Sequence, residues 1–163
     1  MAIKLPADAP STTGEAFAYI DKLRHGATID DLKILCLVEA IGLELYEDLA
    51  ARTENAEAQK LLRQNGHEEM VHATRLSQAI EILTGEPFPI PPLSENPIYT
   101  QLDPFPVTRE ALAKLAQAEF AGEDLYAGIA KSFDHPEVLA LLAQNGREEI
   151  GHGHRIEQAS ALL

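Results

Sequence analysis

Two Glu-x-x-His pairs, Glu69 with His72 and Glu149 with His152, stand 80 residues apart in this chain. Side chains three apart on a helix share a face, so each pair presents a carboxylate and an imidazole together. Thirty residues before each pair stands another glutamate, Glu39 or Glu119. Glu39 is in helical phase with Leu35 and Tyr46, and Glu119 with Leu115 and Tyr126, so both point where an apolar stripe should face a core. Four inner faces thus collect four carboxylates and two imidazoles. Burying four unpartnered carboxylates costs many kcal/mol; such groups pair, protonate or bind metal. No Lys or Arg falls in phase with them. Two divalent cations would balance the charge. One Glu from each of two helices plus Glu-x-x-His from two others is the donor set of a di-iron or di-manganese centre. Oxygen with imidazole nitrogen suits iron or manganese, and zinc is also accommodated. A single Glu-x-x-His fits an ordinary buried carboxylate–histidine hydrogen bond equally well; the matched recurrence is what points to metal. His67 and His154 fall on the opposite side, and His25 and His135 at helix ends, where solvation is expected.

Other residues belong to the same pattern. Tyr46 and Tyr126 lie two turns beyond their glutamates on the same face, and a buried phenol needs a partner, which a ligand carboxylate would supply. Gly42, Gly66, Gly122 and Gly146 fall mid-helix, where each costs about 1 kcal/mol relative to Ala; the space they leave would serve either the site or a close helix contact. Glu123 lies about 40° from Glu119 on a continuous helix. It is expected to be a seventh metal ligand and fifth inward carboxylate, without a counterpart at Leu43 in the first half; a side chain reaching out at the edge of the bundle is the alternative. Asp124 and Glu44 fall towards solvent. Cys36 sits in an apolar run and reads as a core residue.

The elements that must position these groups form an internal repeat. Residues 28–83 align without a gap on 108–163, and 21 of the 56 positions are identical, the best block being QNGHEEMVH against QNGREEIGH. Each unit reads as two long helices. Thr28 and Thr108 are expected N-caps. A break near Thr53 to Ala56 recurs as Asp134-His135-Pro136-Glu137, with Asp134 as the expected cap and Glu137 completing a capping box. Gly85 marks a helix end. The connector, 84–107, holds seven of the ten prolines and is long enough to cross a bundle from end to end. Residues 1–27 form an extension in which Thr12 to Arg24 is expected to be a short helix stopping at Gly26. The expected fold is all-α: a four-helix bundle of two helical hairpins joined by a proline-rich crossover. A hairpin cannot cover its own polar face, so a homodimer, with hairpins exchanged between chains as one form of it, is the expected assembly. Length and composition agree with one domain, 163 residues with 45 % hydrophobic residues. A net charge of −13 argues against nucleic acid or an anionic membrane as partner. The longest apolar run, Val138 to Ala143, is far short of the roughly 20 residues of a membrane span. The N-terminal residues show no apolar signal core, so a cytoplasmic setting is expected. One cysteine allows neither an internal disulfide nor a CxxC site.

On Glu39-x6-Tyr46, Glu69-x-x-His72, Glu119-x6-Tyr126, Glu149-x-x-His152 and the long crossover, residues 28–163 resemble the rubrerythrin branch of the ferritin-like superfamily. The resemblance implies a pair of irons, with Glu69 and Glu149 bridging, Glu39 and Glu119 terminal, and the tyrosines beside the ligands. It implies reduction of hydrogen peroxide to water. Rubrerythrins usually carry a four-cysteine rubredoxin domain that feeds electrons to the centre. With a single cysteine here, the donor is expected to be a separate rubredoxin-like protein, and the oxidant hydrogen peroxide or oxygen. A ferritin-like ferroxidase handling iron, and a metal-binding protein without catalysis, are the alternative expectations.

Overall fold

The computed structural model describes residues 3–101 and 103–163. Among them the regular structure is helical, with no strand. Helix α1 (Thr13–Ile20) leads into a 3-10 turn, Asp21–His25. Four longer stretches follow: α2 (Ile29–Ala51), α3 (Ala56–Thr84), the consecutive pair α4 (Arg109–Phe120) and α5 (Gly122–Ala130), and α6 (Pro136–Ala161).

Local chemistry sets the ends. The Thr28 hydroxyl accepts from the Asp31 N–H while the Asp31 carboxylate accepts from the Thr28 N–H at 2.8 Å, a reciprocal capping box. Asn55 caps α3 through the N–H groups of Glu57 and Ala58, and Gly85 closes it at φ 73°. Thr108 caps α4. The start of α6 departs from expectation by one residue: His135, not Asp134, is the N-cap, and it makes no side-chain cap bond. Pro136 accounts for the shift. It takes the first helical position and drives the residue before it out of the helical region, to φ −77°, ψ 117°.

Packing is helix on helix: α2 along α3, α3 along α6, and α6 against both α4 and α5. The buried apolar residues fall into two clusters. One includes Leu35, Leu76, Leu125 and Leu142, the other Tyr46, Leu62, Ala116 and Ile156. On every helix the inward glutamate lies between a member of one cluster and a member of the other. Glu39 is between Leu35 and Tyr46, Glu69 between Leu62 and Leu76, Glu119 between Ala116 and Leu125, and Glu149 between Leu142 and Ile156. The polar layer is therefore sealed between two dry ones. The described residues of the connector are irregular apart from a 3-10 turn at Leu93–Glu95. It is tied down in sequence: the Phe88 carbonyl to Ser77, the Asn96 amide to the Leu37 carbonyl, Thr100 to Thr13, and the Phe105 carbonyl to Arg52. Among the described residues no helix is long and apolar enough to cross a membrane.

The α4–α5 junction falls at Ala121, whose carbonyl accepts from the Leu125 N–H at 3.2 Å and from Arg24 Nη1 at 2.7 Å. The turn carrying Arg24 sits against α5, and a Cβ on Gly128 would lie 2.1 Å from the Arg24 carbonyl oxygen. Gly128→Ala therefore must push backbone from backbone. Overpacking of this kind costs about 1–3 kcal/mol, so the melting temperature should fall by roughly 2–12 °C in a chain this size. Calorimetry on that variant checks it.

Candidate metal centre

Six side chains from four helical stretches converge in the polar layer: Glu39 from α2, Glu69 and His72 from α3, Glu119 from α4, and Glu149 and His152 from α6. Glu69, His72, Glu149 and His152 bring ligand atoms within 4.8 Å of one another. Both imidazoles are fully buried and stack nearly parallel, 5.0 Å between ring centroids.

Each imidazole aims Nδ1 into its own group of carboxylates. His72 Nδ1 lies 3.1 Å from Glu149 Oε1, 3.6 Å from Glu69 Oε2 and 3.8 Å from Glu39 Oε2. His152 Nδ1 lies 3.2 Å from Glu69 Oε1, 3.4 Å from Glu119 Oε2 and 3.5 Å from Glu149 Oε2. Glu69 and Glu149 thus divide their oxygens between the two foci, while Glu39 and Glu119 each serve one. Despite these neighbours, neither Nδ1 forms a well-directed hydrogen bond. A buried ring nitrogen facing three carboxylate oxygens without bonding any of them is what a cation between them would satisfy. The residues could hold metal: each focus offers one imidazole nitrogen and three carboxylate oxygens, a hard-to-borderline donor set.

The far side of each imidazole is held as well. His72 Nε2 is hydrogen-bonded to Glu148 Oε2 at 3.1 Å, and His152 Nε2 lies 3.2 Å from Glu68 Oε2 in a more bent contact. Arg75 pairs with Glu148 at 2.5 Å, and Arg155 pairs with Glu68. Asn145 and Asn65 hold the His72 and His152 carbonyls, each at 3.2 Å, and their side-chain oxygens accept from Arg75 and Arg155. An outer carboxylate that accepts from Nε2–H leaves Nδ1 free for metal. Sequence reading did not single out Glu68, Glu148, Arg75, Arg155, Asn65 or Asn145. The signal was present: all three kinds recur at the same offset of 80 residues.

The tyrosines reach across. The Tyr46 hydroxyl donates to Glu119 Oε1 at 2.6 Å, and the Tyr126 hydroxyl to Glu39 Oε1 at 2.7 Å. The four glycines make room. A Cβ on Gly42 would stand 2.8 Å from Glu69 Cγ, and one on Gly122 2.6 Å from Glu149 Cγ. Gly66 and Gly146 clear the β-carbons of Tyr46 and Tyr126. Gly122→Ala should displace Glu149 from both foci and weaken metal binding about 10- to 100-fold, the range seen when a ligand's support is lost. Competition with a chelator measures it.

Glu123 corrects an expectation. It is exposed and takes no part in the cluster. The 40° step from Glu119 already reaches the edge of the bundle: the Glu123 backbone, not its side chain, faces Gly146, as the backbone of its counterpart Leu43 faces Gly66 in the unbroken α2. His67, His154, His25 and His135 are exposed, and Cys36 is buried with its thiol 3.2 Å from the Ala73 carbonyl.

Without metal, protons must hold the carboxylates together. Burial and the Glu69 charge push Glu39 up to about 7, and burial likewise raises Glu119. Burial lowers the His72 imidazole, but the carboxylates of Glu149, Glu39 and Glu69 outweigh it and lift the group to about 12; His152 is raised in the same way, chiefly by Glu119. Burial opposes ionisation of Glu69 and Glu149, yet the nearby imidazoles of His72 and His152 hold them below the usual range. For the raised groups, stability is whole below the ordinary value and is lost as the pH climbs through the folded one; for Glu69 and Glu149 it is lost on acidification. The metal-free chain should thus be most stable in mildly acidic solution. Its melting temperature should fall from about pH 6 to 9, whereas the metal-loaded protein should show no such fall; paired scans with and without chelator check this. Metal binding should also release protons, from the imidazoles above all.

Comparisons of this chain with family models, curated proteins and solved structures give no match, so the functional reading rests on the residues and their geometry.

Proposed function

We propose that this chain is a non-haem di-iron oxidoreductase of the rubrerythrin type, built on a ferritin-like four-helix bundle of two hairpins. In this reading it reduces peroxide or dioxygen with electrons from an external donor such as a rubredoxin-like protein. The observation that carries the reading is the division of Glu69 and Glu149 between two imidazole foci, which sets up two adjacent cation positions sharing both carboxylates. A pair of irons held there would supply two electrons at one place, as the breaking of an O–O bond requires. The chain's own residues do the rest. Glu69 and Glu149 fix the spacing, and His72 and His152 fix the outer positions through Glu148 and Glu68. Tyr46 and Tyr126 orient Glu119 and Glu39 and hold a proton at each hydroxyl, since burial and the adjacent carboxylate keep both phenols protonated. The apolar layers cover the site on two sides.

All six ligand side chains come from one chain, so exchange of hairpins is not needed to complete the site. A homodimer in the cytoplasm, with neither nucleic acid nor membrane as partner, completes the proposal. Mass spectrometry should find two metals per chain, and the reduced protein should consume hydrogen peroxide stoichiometrically and, with added reductant, repeatedly. A large cage loaded with hundreds of irons would instead identify an iron-storing ferroxidase. Metal bound without any redox turnover would leave only a binding protein.

A further inference from the structure

The Arg75 guanidinium reaches one focus by two separate paths. On one side it pairs with Glu148, Nη1 to Oε2 at 2.5 Å and Nη2 to Oε1 at 3.1 Å, and Glu148 Oε2 holds His72 Nε2 at 3.1 Å. On the other side Nη1 donates to Asn145 Oδ1 at 3.0 Å, Asn145 Nδ2 donates to the Tyr126 hydroxyl oxygen at 3.2 Å, and that hydroxyl donates to Glu39 Oε1 at 2.7 Å. The paths meet again where His72 Nδ1 and Glu39 Oε2 face each other at 3.8 Å. Six side chains from α2, α3, α5 and α6 thus form one closed ring. The other half repeats the plan. Arg155 pairs with Glu68, opposite His152 Nε2, and donates to Asn65 Oδ1 at 2.5 Å. Asn65 acts as a donor towards the Tyr46 hydroxyl, which holds Glu119. Glu69 and Glu149, which serve both foci, belong to neither ring.

The long path has a fixed direction. A guanidinium only donates. Asn145 therefore turns its oxygen to Arg75, and its amide protons go to the His72 carbonyl and to the phenol. The phenol oxygen, having accepted, gives its own proton to Glu39. Each bond on this path points from the cation to the terminal carboxylate. Asn145 and Tyr126 are each only 1 % exposed, so water does not replace a lost partner. We infer, on the reading that each focus holds a metal, that Arg75 and Arg155 are positioning residues. Each sets the imidazole and the terminal glutamate of its own metal position as one unit and leaves the other position alone. The role needs the planar fork of arginine, because two acceptors on different sides must be held at once.

Zinc titration against a chelator tests this without turnover, the imidazole nitrogen resonances of His72 and His152 reporting which position is filled. Arg75→Met, which keeps the aliphatic stem, should weaken zinc at the His72 position at least about tenfold and change the His152 position by less than about threefold, and Arg155→Met should do the reverse. Arg75→Lys keeps the charge but has no fork to hold Glu148 and Asn145 together. It should melt like the unmodified chain when metal-free and still bind zinc weakly at the His72 position. Tyr126→Phe should cost less affinity when added to Arg75→Met than it does alone, because the path it cuts is already open. Equal weakening at both positions, full affinity in Arg75→Lys, or strict additivity with Tyr126→Phe overturns the role of the arginines and leaves the metal centre standing. Failure of the unmodified chain to take up two zinc ions overturns the metal centre itself.

Discussion

Replacing Glu69 and Glu149 together by alanine is expected to take the metal content from two per chain to none. Each of these carboxylates gives one oxygen to the His72 focus and the other to the His152 focus, so their loss strips two of three carboxylates from both positions at once. What remains at each focus is one imidazole and one terminal glutamate, too few donors to hold iron or manganese against water. The double variant should still fold, because the apolar layers on either side do not include these residues. It also removes two of the four buried carboxylates that repel one another. Elemental analysis after metal loading gives the result, with circular dichroism as the check on the fold; full occupancy would refute the assignment of the site.

The second large effect is expected one layer out. Glu68→Ala and Glu148→Ala each remove the acceptor opposite an imidazole Nε2 and release an arginine into the space. Without that acceptor the imidazole is no longer fixed with Nδ1 towards the metal, and an unpaired guanidinium stands near the cation. Losing such a partner typically costs 10- to 100-fold in affinity, and the charge reversal of the surroundings places these variants at the upper end. Glu68→Gln and Glu148→Gln retain an acceptor oxygen and should recover part of the loss. A merely structural role would lower the melting temperature of the metal-free chain equally in the Ala and Gln forms, so affinity and stability are to be measured side by side.

The six inward groups were legible because a helix converts spacing into direction. An acid in phase with Leu35 and Tyr46, or with Leu115 and Tyr126, has nowhere to go but inward. The helix starts at Thr28 and Thr108 and the stop at Gly85 were legible for the same reason: cap chemistry is local. What failed was whatever depends on distant chain. Glu123 was placed inward on a 40° step, but, like Leu43 in the other half, it meets the facing helix with its backbone, and which helix packs there is not written locally. Glu68 and Glu148 sit next to Glu69 and Glu149 in sequence but a quarter-turn or more away in angle, so direction alone did not mark them. The α3–α6 contact covers them in part, each about 30 % exposed. Their recurrence with Arg75 and Arg155 at the same offset was the usable clue. The cap at His135 shows the limit of reading composition: Asp134 is the better capping residue, but Pro136 dictates where the helix begins.

The two phenols cross over. Tyr46 in the first half supports Glu119 in the second, and Tyr126 in the second supports Glu39 in the first. Neither half, taken alone, contains the support for its own terminal glutamate. Damage at one position is consequently registered in the other half: Tyr126→Phe leaves its nearest sequence counterpart untouched and instead frees an oxygen of Glu39. A compensating change for a lesion at Tyr46 belongs at position 119, not 39. Divergence of the two halves is thereby yoked in pairs of sites, and a chimaera that joins halves of two diverged descendants would be tested first at these crossed contacts, before any difference on the surface mattered.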